Sequence, residues 1–558
     1  MPKKEIALKV IPLGGLDGIG KNMTAFEYGD DMVLIDAGLM FPDDNMPGID
    51  LILPDYTYVL ENEHKLRGIV ITHGHEDHTG ALPYLLMDLT KKVPIYSSKL
   101  TLGMIEGKLA EYKIKSPKFR EVQDGSNVNL GALNLTFFSM THSIPGALGV
   151  QPPAGTVMHT GDFKLDNTPI DGRRPNYQAI NKFGGNGVDL LLSDSTNATR
   201  PGYTPSEAAV GPNLRHIIKN AQGRVFVACF SSHIHRLQQV CDAATSTGRK
   251  VVVTGRSMVQ NTDIACNTKV ARQLGYLKIA EDDIIDAFEI DKLDNDQVVV
   301  LCTGSQGEPL SALARMANGE HKSLSINASD TVIISATPIP GNEKSVQAII
   351  NSLSKIGCAI YDKNKTLVHV SGHGSQEELK LMLSMAKPRY FMPVHGEAQH
   401  LRAHAQLAVE LGMDEKNIFI LDNGDSLEMV NHRVRRGHAV ESGVVYVDGG
   451  TVTEADPVVI RDRQKLAQEG VVTCTIALTG KKGTVKAIEV NARGVSFSSD
   501  PTVVEEAQQI IRQQVEKVTN SDGVNIDAVR RSVRNQISNL LWTKTHSRPM
   551  VIPVVLEV

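Results

Sequence analysis

Cysteine is scarce and unpatterned in this chain. Cys229, Cys241, Cys266, Cys302, Cys358 and Cys474 form no C-x-x-C pair and no regular framework, so a disulfide scaffold is excluded and reduced, buried thiols are expected. Long apolar runs are also missing. No segment approaches the roughly 20 apolar residues that would span a bilayer, so no membrane partner is expected. The start, Met-Pro-Lys-Lys-Glu, runs directly into the strand-like Ile6–Ile11 with no signal region, and a cytoplasmic location is the expectation. An excess of positive charge is lacking too, with a formal net charge of -5. A polyanionic ligand would therefore need a local electropositive groove or metal ions. Internal repeats and low-complexity tracts are absent.

What is present is a chain of 558 residues, 41% hydrophobic and 22% charged. That length exceeds a single growing core and implies about two to four domains. Short aliphatic runs recur at Met32–Asp36, Gly68–Thr72, Leu133–Met140, Thr156–His159, Asp189–Leu192, Arg224–Cys229, Val251–Thr254, Val298–Cys302, Thr331–Ser335, Leu367–Val370 and Tyr390–Val394. Bounded by Gly, Pro, Ser, Asp or His, and alternating with amphipathic stretches such as Ser206–Ala221 and Gln376–Met385, they predict buried strands of an α/β protein. Polar residues gather at the strand ends, the usual address for chemistry in such layers. The rhythm from about Pro205 to Thr366 reads as a separate or inserted unit. Past Ile420 the texture turns to linker, with Asn423-Gly424-Asp425, the basic Asn431–Gly437 and Ser442–Gly450. A small α+β unit follows, with strands near Val471–Leu478, Val485–Asn491 and Val551–Leu556 and helices near Thr502–Val518 and Ile526–Trp542.

The predicted strand Gly68–Thr72 empties into His73-Gly74-His75-Glu76-Asp77-His78-Thr79-Gly80. Four potential ligands thus fall within six residues, where a tight loop can turn imidazoles and a carboxylate towards one point. A His-rich surface loop is the bland alternative. With 18 His in the chain, a chance H-x-H-x-D-H is on the order of one in a thousand. Thr141-His142-Ser143 and His159-Thr160-Gly161-Asp162-Phe163-Lys164 end further strands, and Asp36 ends Met32–Ile35. Each alone could equally be a cap or a turn residue.

In this order the residues resemble the metallo-β-lactamase superfamily, whose H-x-H-x-D-H signature is matched at every fixed position. The resemblance narrows to the β-CASP nucleases and to the bacterial ribonuclease J family. Asp194 in Leu191–Asn197, His373 in Ser371-Gly372-His373-Gly374 and His395 in Pro393–Glu397 look like the three β-CASP motifs. Pro47–Pro54 and Thr303–Pro309 also look like this family, and the match runs from Pro12–Gly15 to the C-terminal unit. It implies an αββα sandwich in residues 1–207 and 367–425, an inserted α/β β-CASP domain in 208–366, a linker in 426–455 and an α+β domain in 456–558.

The resemblance further implies two zinc ions, His73, His75 and His142 holding one, Asp77, His78 and His395 the other, with Asp162 between them and Asp36 supporting the loop. Mixed imidazole and carboxylate ligands suit zinc and also manganese. Catalytic roles fall on Asp77, Asp194 and His373, where His373 oriented by Asp194 is either the general acid or a phosphate ligand. Ser231, Ser232 and His233, read alone, suggest a helix N-cap before Arg236. By resemblance they bind RNA, as do His369, Val370, Ser371, Gly372 and His373, including a 5′ monophosphate. Gly48, Asp50 and Asp448 match positions where some members bind a structural calcium. The implied function is 5′-to-3′ exoribonuclease and endoribonuclease action in rRNA maturation and mRNA decay, by a homodimer or homotetramer with RNA-degradosome partners. A small-molecule metallo-hydrolase leaves the inserted unit without a purpose. An inactive RNA-binding scaffold would have no need of the full ligand set.

Overall fold

A computed structural model describes residues 6–43, 45–151, 157–267, 277–280, 283–308, 311–339, 342–449, 451–453, 457–480, 483–495, 501–518 and 525–558. It divides into two units, Met1–Phe41 with Ile52–Val444, and Pro42–Leu51 with Val445–Val558.

In the first unit two sheets face each other. One has eight strands in the order Arg433–Arg436, Leu427–Val430, Leu8–Gly14, Met23–Tyr28, Asp31–Ile35, Leu66–Val70, Pro94–Ser97 and Lys118–Glu121. The other has six, in the order Tyr390–Val394, Leu190–Asp194, Val157–His159, Leu148–Gln151, Leu133–Ser139 and Asn127–Leu130. Phe26, Val33 and Val70 of the first interlock with Phe137, Leu190 and Met392 of the second in one buried cluster. Burying such side chains contributes about 1.5–3 kcal/mol each. The outer face of the second sheet, with Phe138, Leu191 and Phe391, is covered by the helices Tyr177–Asn186, Gln376–Ala386 and Ala398–Glu410. Lys99–Glu111 packs against the strands Pro94–Ser97 and Lys118–Glu121 of the first sheet. This is the expected αββα sandwich.

Leu190–Asp194 pairs in parallel with Tyr390–Val394, so everything between them is an excursion from one sheet. That excursion contains a fully parallel sheet ordered Ile284–Ile285, Lys250–Thr254, Val298–Cys302, Val225–Ala228, Thr331–Ile334 and Ala359–Tyr361. Its strands are continuous apolar runs because helices bury both faces. Val210–Asn220 and Ile234–Ser246 lie on one side and Ala312–Ala317 and Glu343–Ile356 on the other. Within this unit Arg224 donates to both oxygens of Asp330, at 3.1 and 2.6 Å.

Three readings differ from the structure. The run Leu367–Val370 forms no strand; its Val368 carbonyl accepts from the Arg236 side chain at 2.5 Å instead of from a sheet neighbour. Residues read as linker form the hairpin Leu427–Val430 and Arg433–Arg436 at the edge of the eight-stranded sheet, followed by the strand Val444–Asp448. The helix Pro457–Glu469 was not expected. Thr156, in the expected strand Thr156–His159, lies outside the described residues.

The second unit packs the helices Pro501–Val518 and Ile526–Thr545 on a sheet ordered Thr484–Arg493, Val471–Thr479 and Met550–Glu557. Its core includes Cys474, Ile476, Ile511, Val533 and Ile537. Among the described residues no helix is long and apolar enough to cross a membrane.

Replacing Asp330 by Ala would strand the Arg224 guanidinium inside the inserted domain, a loss of about 3–5 kcal/mol. The expected readout is a lower urea midpoint for the transition that carries this domain.

Candidate metal centre

The site is built at one end of the facing sheets. Asp36 follows the strand Asp31–Ile35 with φ of 62°, a left-handed conformation that non-glycine residues adopt at a cost of about 1–3 kcal/mol. It persists because the carboxylate is fully engaged. Asp36 accepts from the Thr72 amide at 2.7 Å and the Thr72 hydroxyl at 2.9 Å, and from Nδ1 of His78 at 2.7 Å. Held through Nδ1 by Asp36, His78 aims its Nε2 at Oδ2 of Asp162, 3.1 Å away. Gly38 lets the Asp36 loop lie against the His-rich loop, since a Cβ there would sit 1.5 Å from the Asp77 carbonyl oxygen.

Three imidazoles converge on one side. Nδ1 of His75 lies 3.0 Å from Nε2 of His73 and 3.1 Å from Nε2 of His142. His142 donates its Nδ1 proton to the Gly372 carbonyl at 2.8 Å, which leaves its Nε2 as a lone pair. Burial and the neighbouring imidazoles push His73 and His142 well below the usual histidine range, and burial brings His75 down to about 4. All three are neutral bases. Lone pairs so close repel one another unless a cation lies between them. Nitrogen ligands at about 2.0–2.1 Å around a tetrahedral ion stand roughly 3.3 Å apart, so the cluster fits a zinc-sized ion.

The second group is acidic. Asp162 reaches Nδ1 of His395 at 2.8 Å through Oδ1, while Oδ2 lies 3.7 Å from Nε2 of His73 and 4.0 Å from Nε2 of His142. Asp162 therefore stands between the two groups. Asp77 approaches Nε2 of His395 at 3.3 Å and of His78 at 3.6 Å, and Nε2 of His395 is buried without a hydrogen-bond partner. Burial opposes charge here, yet Asp162 and Asp77 outweigh it and hold His395 up at about 10. The same groups raise His78, and the two histidines hold the Asp162 carboxyl well below the usual range. Carboxylates that demand this much positive compensation suit a second divalent ion.

Beside them, Nδ1 of His373 donates to Oδ2 of Asp194 at 2.7 Å. Burial disfavours the imidazolium, but Asp194 and Asp162 raise it above the ordinary histidine value. Thr196 ties the other Asp194 oxygen at 2.8 Å.

The segment His369–His373 lies against this centre through the Gly372 to His142 bond, and the rings of His233 and His369 meet edge to face at 6.2 Å. His233 occupies the N-cap of Ile234–Ser246 without a side-chain cap bond. The Ser231 hydroxyl accepts from Asn261 at 3.1 Å. Ser231 and Ser232 line a cleft of about 570 Å³ between the metal loop and the inserted domain, together with Gly74, Lys108, Arg256 and Arg315.

Asn22 was missed by sequence reasoning. Its side-chain amide meets the Asp77 carbonyl and Nε2 of His78, both at 3.1 Å. Lys164, Glu207 and Arg236 also sit buried next to the expected RNA-binding segments. A single sequence gives no signal for buried cations, because Lys and Arg are nearly always exposed.

A guanidinium lies among the expected calcium donors. Arg463 pairs with the Asp448 carboxylate, and its Nη1 lies 2.6 Å from where a Cβ on Gly48 would be. Asp50 accepts from the Gly449 amide at 2.8 Å. Calcium takes six to eight oxygens, and a guanidinium held between Gly48 and Asp448 does not fit that set.

The fold and the paired histidine and aspartate clusters define a metallo-β-lactamase-type metallo-hydrolase with an inserted domain. Sequence profiles agree: the metallo-beta-lactamase superfamily matches residues 16–203, the ribonuclease J beta-CASP domain 222–353, the Zn-dependent metallo-hydrolase RNA specificity domain 359–421, and the ribonuclease J C-terminal domain 458–558. The chain belongs to the ribonuclease J family. Ribonuclease J of Mycobacterium tuberculosis is 40% identical over 99% of this chain and 97% of its own length. That of Thermus thermophilus is 40% identical over 99% and 95%, and ribonuclease J2 of Bacillus subtilis 38% over 99% of both. Among solved structures, a protein of unknown function from Enterococcus faecalis shares the fold, with a TM-score of 0.53 at 14% identity over 76% of this chain and all of its own.

Asp36→Ala is expected to lower divalent-metal affinity about 10- to 100-fold by freeing the His78 ring, measured as metal retained after dialysis against graded chelator. Millimolar calcium should leave the unfolding transition of the second unit unmoved, and a calcium-dependent rise would contradict the Arg463 assignment.

Proposed function

We propose that this protein is a two-zinc ribonuclease that degrades RNA from a monophosphorylated 5′ end and also cuts internally. The observation that carries the reading is Asp162 standing between a neutral three-histidine group and an acidic group, with the Asp194–His373 pair alongside. His73, His75 and His142 would hold one ion, and Asp77, His78 and His395 the other, with Asp162 shared. Two such ions supply a water nucleophile at neutral pH and neutralise charge on the phosphoryl oxygens.

The remaining work falls to side chains. Asp36 and Gly372 fix the tautomers of His78 and His142, so that each turns Nε2 inward. Asp194 stabilises His373 as an imidazolium through Nδ1, leaving Nε2 to give a proton to the leaving 3′ oxygen. RNA would lie in the cleft beside the metal loop, where Arg256 and Arg315 offer the local positive charge that the net charge of -5 does not, Lys108 being paired with Glu76. Ser231, Ser232, His233 and the segment His369–Gly372 would take the 5′ monophosphate and set the scissile bond one nucleotide in. On this reading the inserted domain, about 208–366, is the closing jaw of the cleft. Cytoplasmic rRNA maturation and mRNA decay, and assembly into dimers or tetramers with degradosome partners, complete the proposal.

His373→Ala should lower kcat by about 10²- to 10⁴-fold while zinc content per chain stays at the wild-type value; unchanged kcat would return His373 to a binding role. The double variant His78→Ala, His142→Ala should lose both metal and RNA hydrolysis, and robust cleavage by it would sink the two-ion mechanism. On RNA labelled at a 5′ monophosphate, exonuclease action releases labelled mononucleotide, whereas internal cuts release longer labelled fragments.

A further inference from the structure

The inserted domain hangs on two chain crossings, near residues 204–208 outward and 366–374 on return, and each is gripped by buried cations from both sides. Lys164, 1% exposed at its side chain, comes from the sandwich. Its ammonium donates to the Ser371 carbonyl at 3.2 Å and to the Pro205 carbonyl at 3.4 Å. Arg236, wholly buried, comes from the inserted domain. It donates twice to Oε1 of Glu207, at 2.9 and 2.7 Å, and to the Val368 carbonyl at 2.5 Å. Glu207 in turn lies 3.4 Å from Nε2 of His233.

This arrangement orients the peptide units of the returning crossing. The carbonyls of Val368 and Ser371 point at Arg236 and Lys164, and the Gly372 carbonyl at Nδ1 of His142. The chain has no cis peptide among the described residues, and in a trans unit the N–H points away from its own C=O. The amides of His369 and Gly372 are therefore turned away from the two cations. No described group accepts a hydrogen bond from the amides of His369, Val370, Ser371 or Gly372. A buried positive charge behind each carbonyl also polarises its unit and strengthens the N–H as an anion donor.

We propose that Lys164 and Arg236 are positioning residues for substrate selection: by holding the carbonyls of Ser371 and Val368 inward they present the amides of Gly372 and His369 to the 5′-terminal phosphate. The inference rests on the 5′-phosphate reading given above. Neither side chain touches the RNA. Both act through the backbone that does, so removing either should erase the preference for a terminal phosphate more than it slows hydrolysis in general.

The test uses two RNAs that differ only in carrying a 5′ monophosphate or a 5′ hydroxyl, and reads the ratio of their kcat/KM values. Wild-type enzyme should favour the monophosphate at least about tenfold, and Lys164→Met should reduce that ratio by about tenfold, chiefly through KM on the monophosphorylated RNA. Lys164→Arg should restore much of it. Zinc content and the unfolding midpoint, measured on each variant, establish that the centre is intact. If Lys164→Met does not fold, the same ratio is read on Arg236→Lys, which keeps the charge but loses the fork that reaches Glu207 and Val368 together. A folded, metal-loaded variant that keeps the wild-type ratio overturns the proposal and leaves the phosphate reading standing. A wild-type enzyme indifferent to the 5′ end overturns the phosphate reading, and the proposal with it.

Discussion

Three carboxylates buried in one small volume, Asp36, Asp162 and Asp194, with the half-buried Asp77 beside them, are the constraint around which the first unit is organised. Burial of an uncompensated carboxylate is among the largest penalties a fold can carry. Each is answered locally: Asp36 by the Thr72 amide and His78, Asp162 by His395 and His78, Asp194 by His373 and Thr196. The two sheets supply the rigidity that keeps these answers in register. The loops at their shared end carry the side chains. A cation added to this arrangement meets neutral imidazoles on one side, and on the other it displaces protons from His78 and His395 and takes over the positive charge those protons supply to the carboxylates.

A second tier of charge lies behind the first. Lys164, Arg236 and Glu207 are as buried as the carboxylates of the centre, but they engage backbone carbonyls and one another. The two tiers meet at the Ser371-Gly372 step, where one carbonyl goes to Lys164 and the next to His142. Geometry at the metal ligands and geometry at the mouth of the cleft are thus coupled through two consecutive peptide units.

Legibility in the sequence followed locality. His73, His75, Asp77 and His78 lie within one loop, and the strand before them is a plain aliphatic run, so spacing alone exposed a metal loop. The continuous apolar strands of the inserted sheet were equally visible. What could not be read were contacts whose partners lie far along the chain: Asn22 on His78, Gly372 on His142, and the buried cations under the returning crossing. Leu367–Val370 looked like a strand because its side chains are apolar, but pairing is decided by where its carbonyls go, and Arg236 takes one of them. The hairpin at 427–436 was hidden for another reason. Its turn uses Asn431 and His432, both with positive φ, and only Asn is a familiar signal there, while the exposed arginines gave the second strand the look of a tail. At Gly48 and Asp448, family resemblance pointed to calcium, and only the position of Arg463, fifteen residues beyond Asp448, shows a fixed positive charge there.

The parallel pairing of Leu190–Asp194 with Tyr390–Val394 has a consequence for how the chain comes into being. The strand next to the edge of the second sheet gains its outer neighbour about 200 residues later, and closing so long a loop is slow and late compared with local pairing. During synthesis the Leu190–Asp194 edge is open while the inserted domain emerges and folds, since domains generally fold as units in order of synthesis. His395, delivered by the late strand, reaches Asp162 only after that closure. A ribosome-bound chain that stops short of this strand already carries the complete His73–His78 loop, yet it lacks the last member of the acidic group. The acidic group is therefore completed only when the late strand is in place, before the second unit, Val445–Val558, has been made.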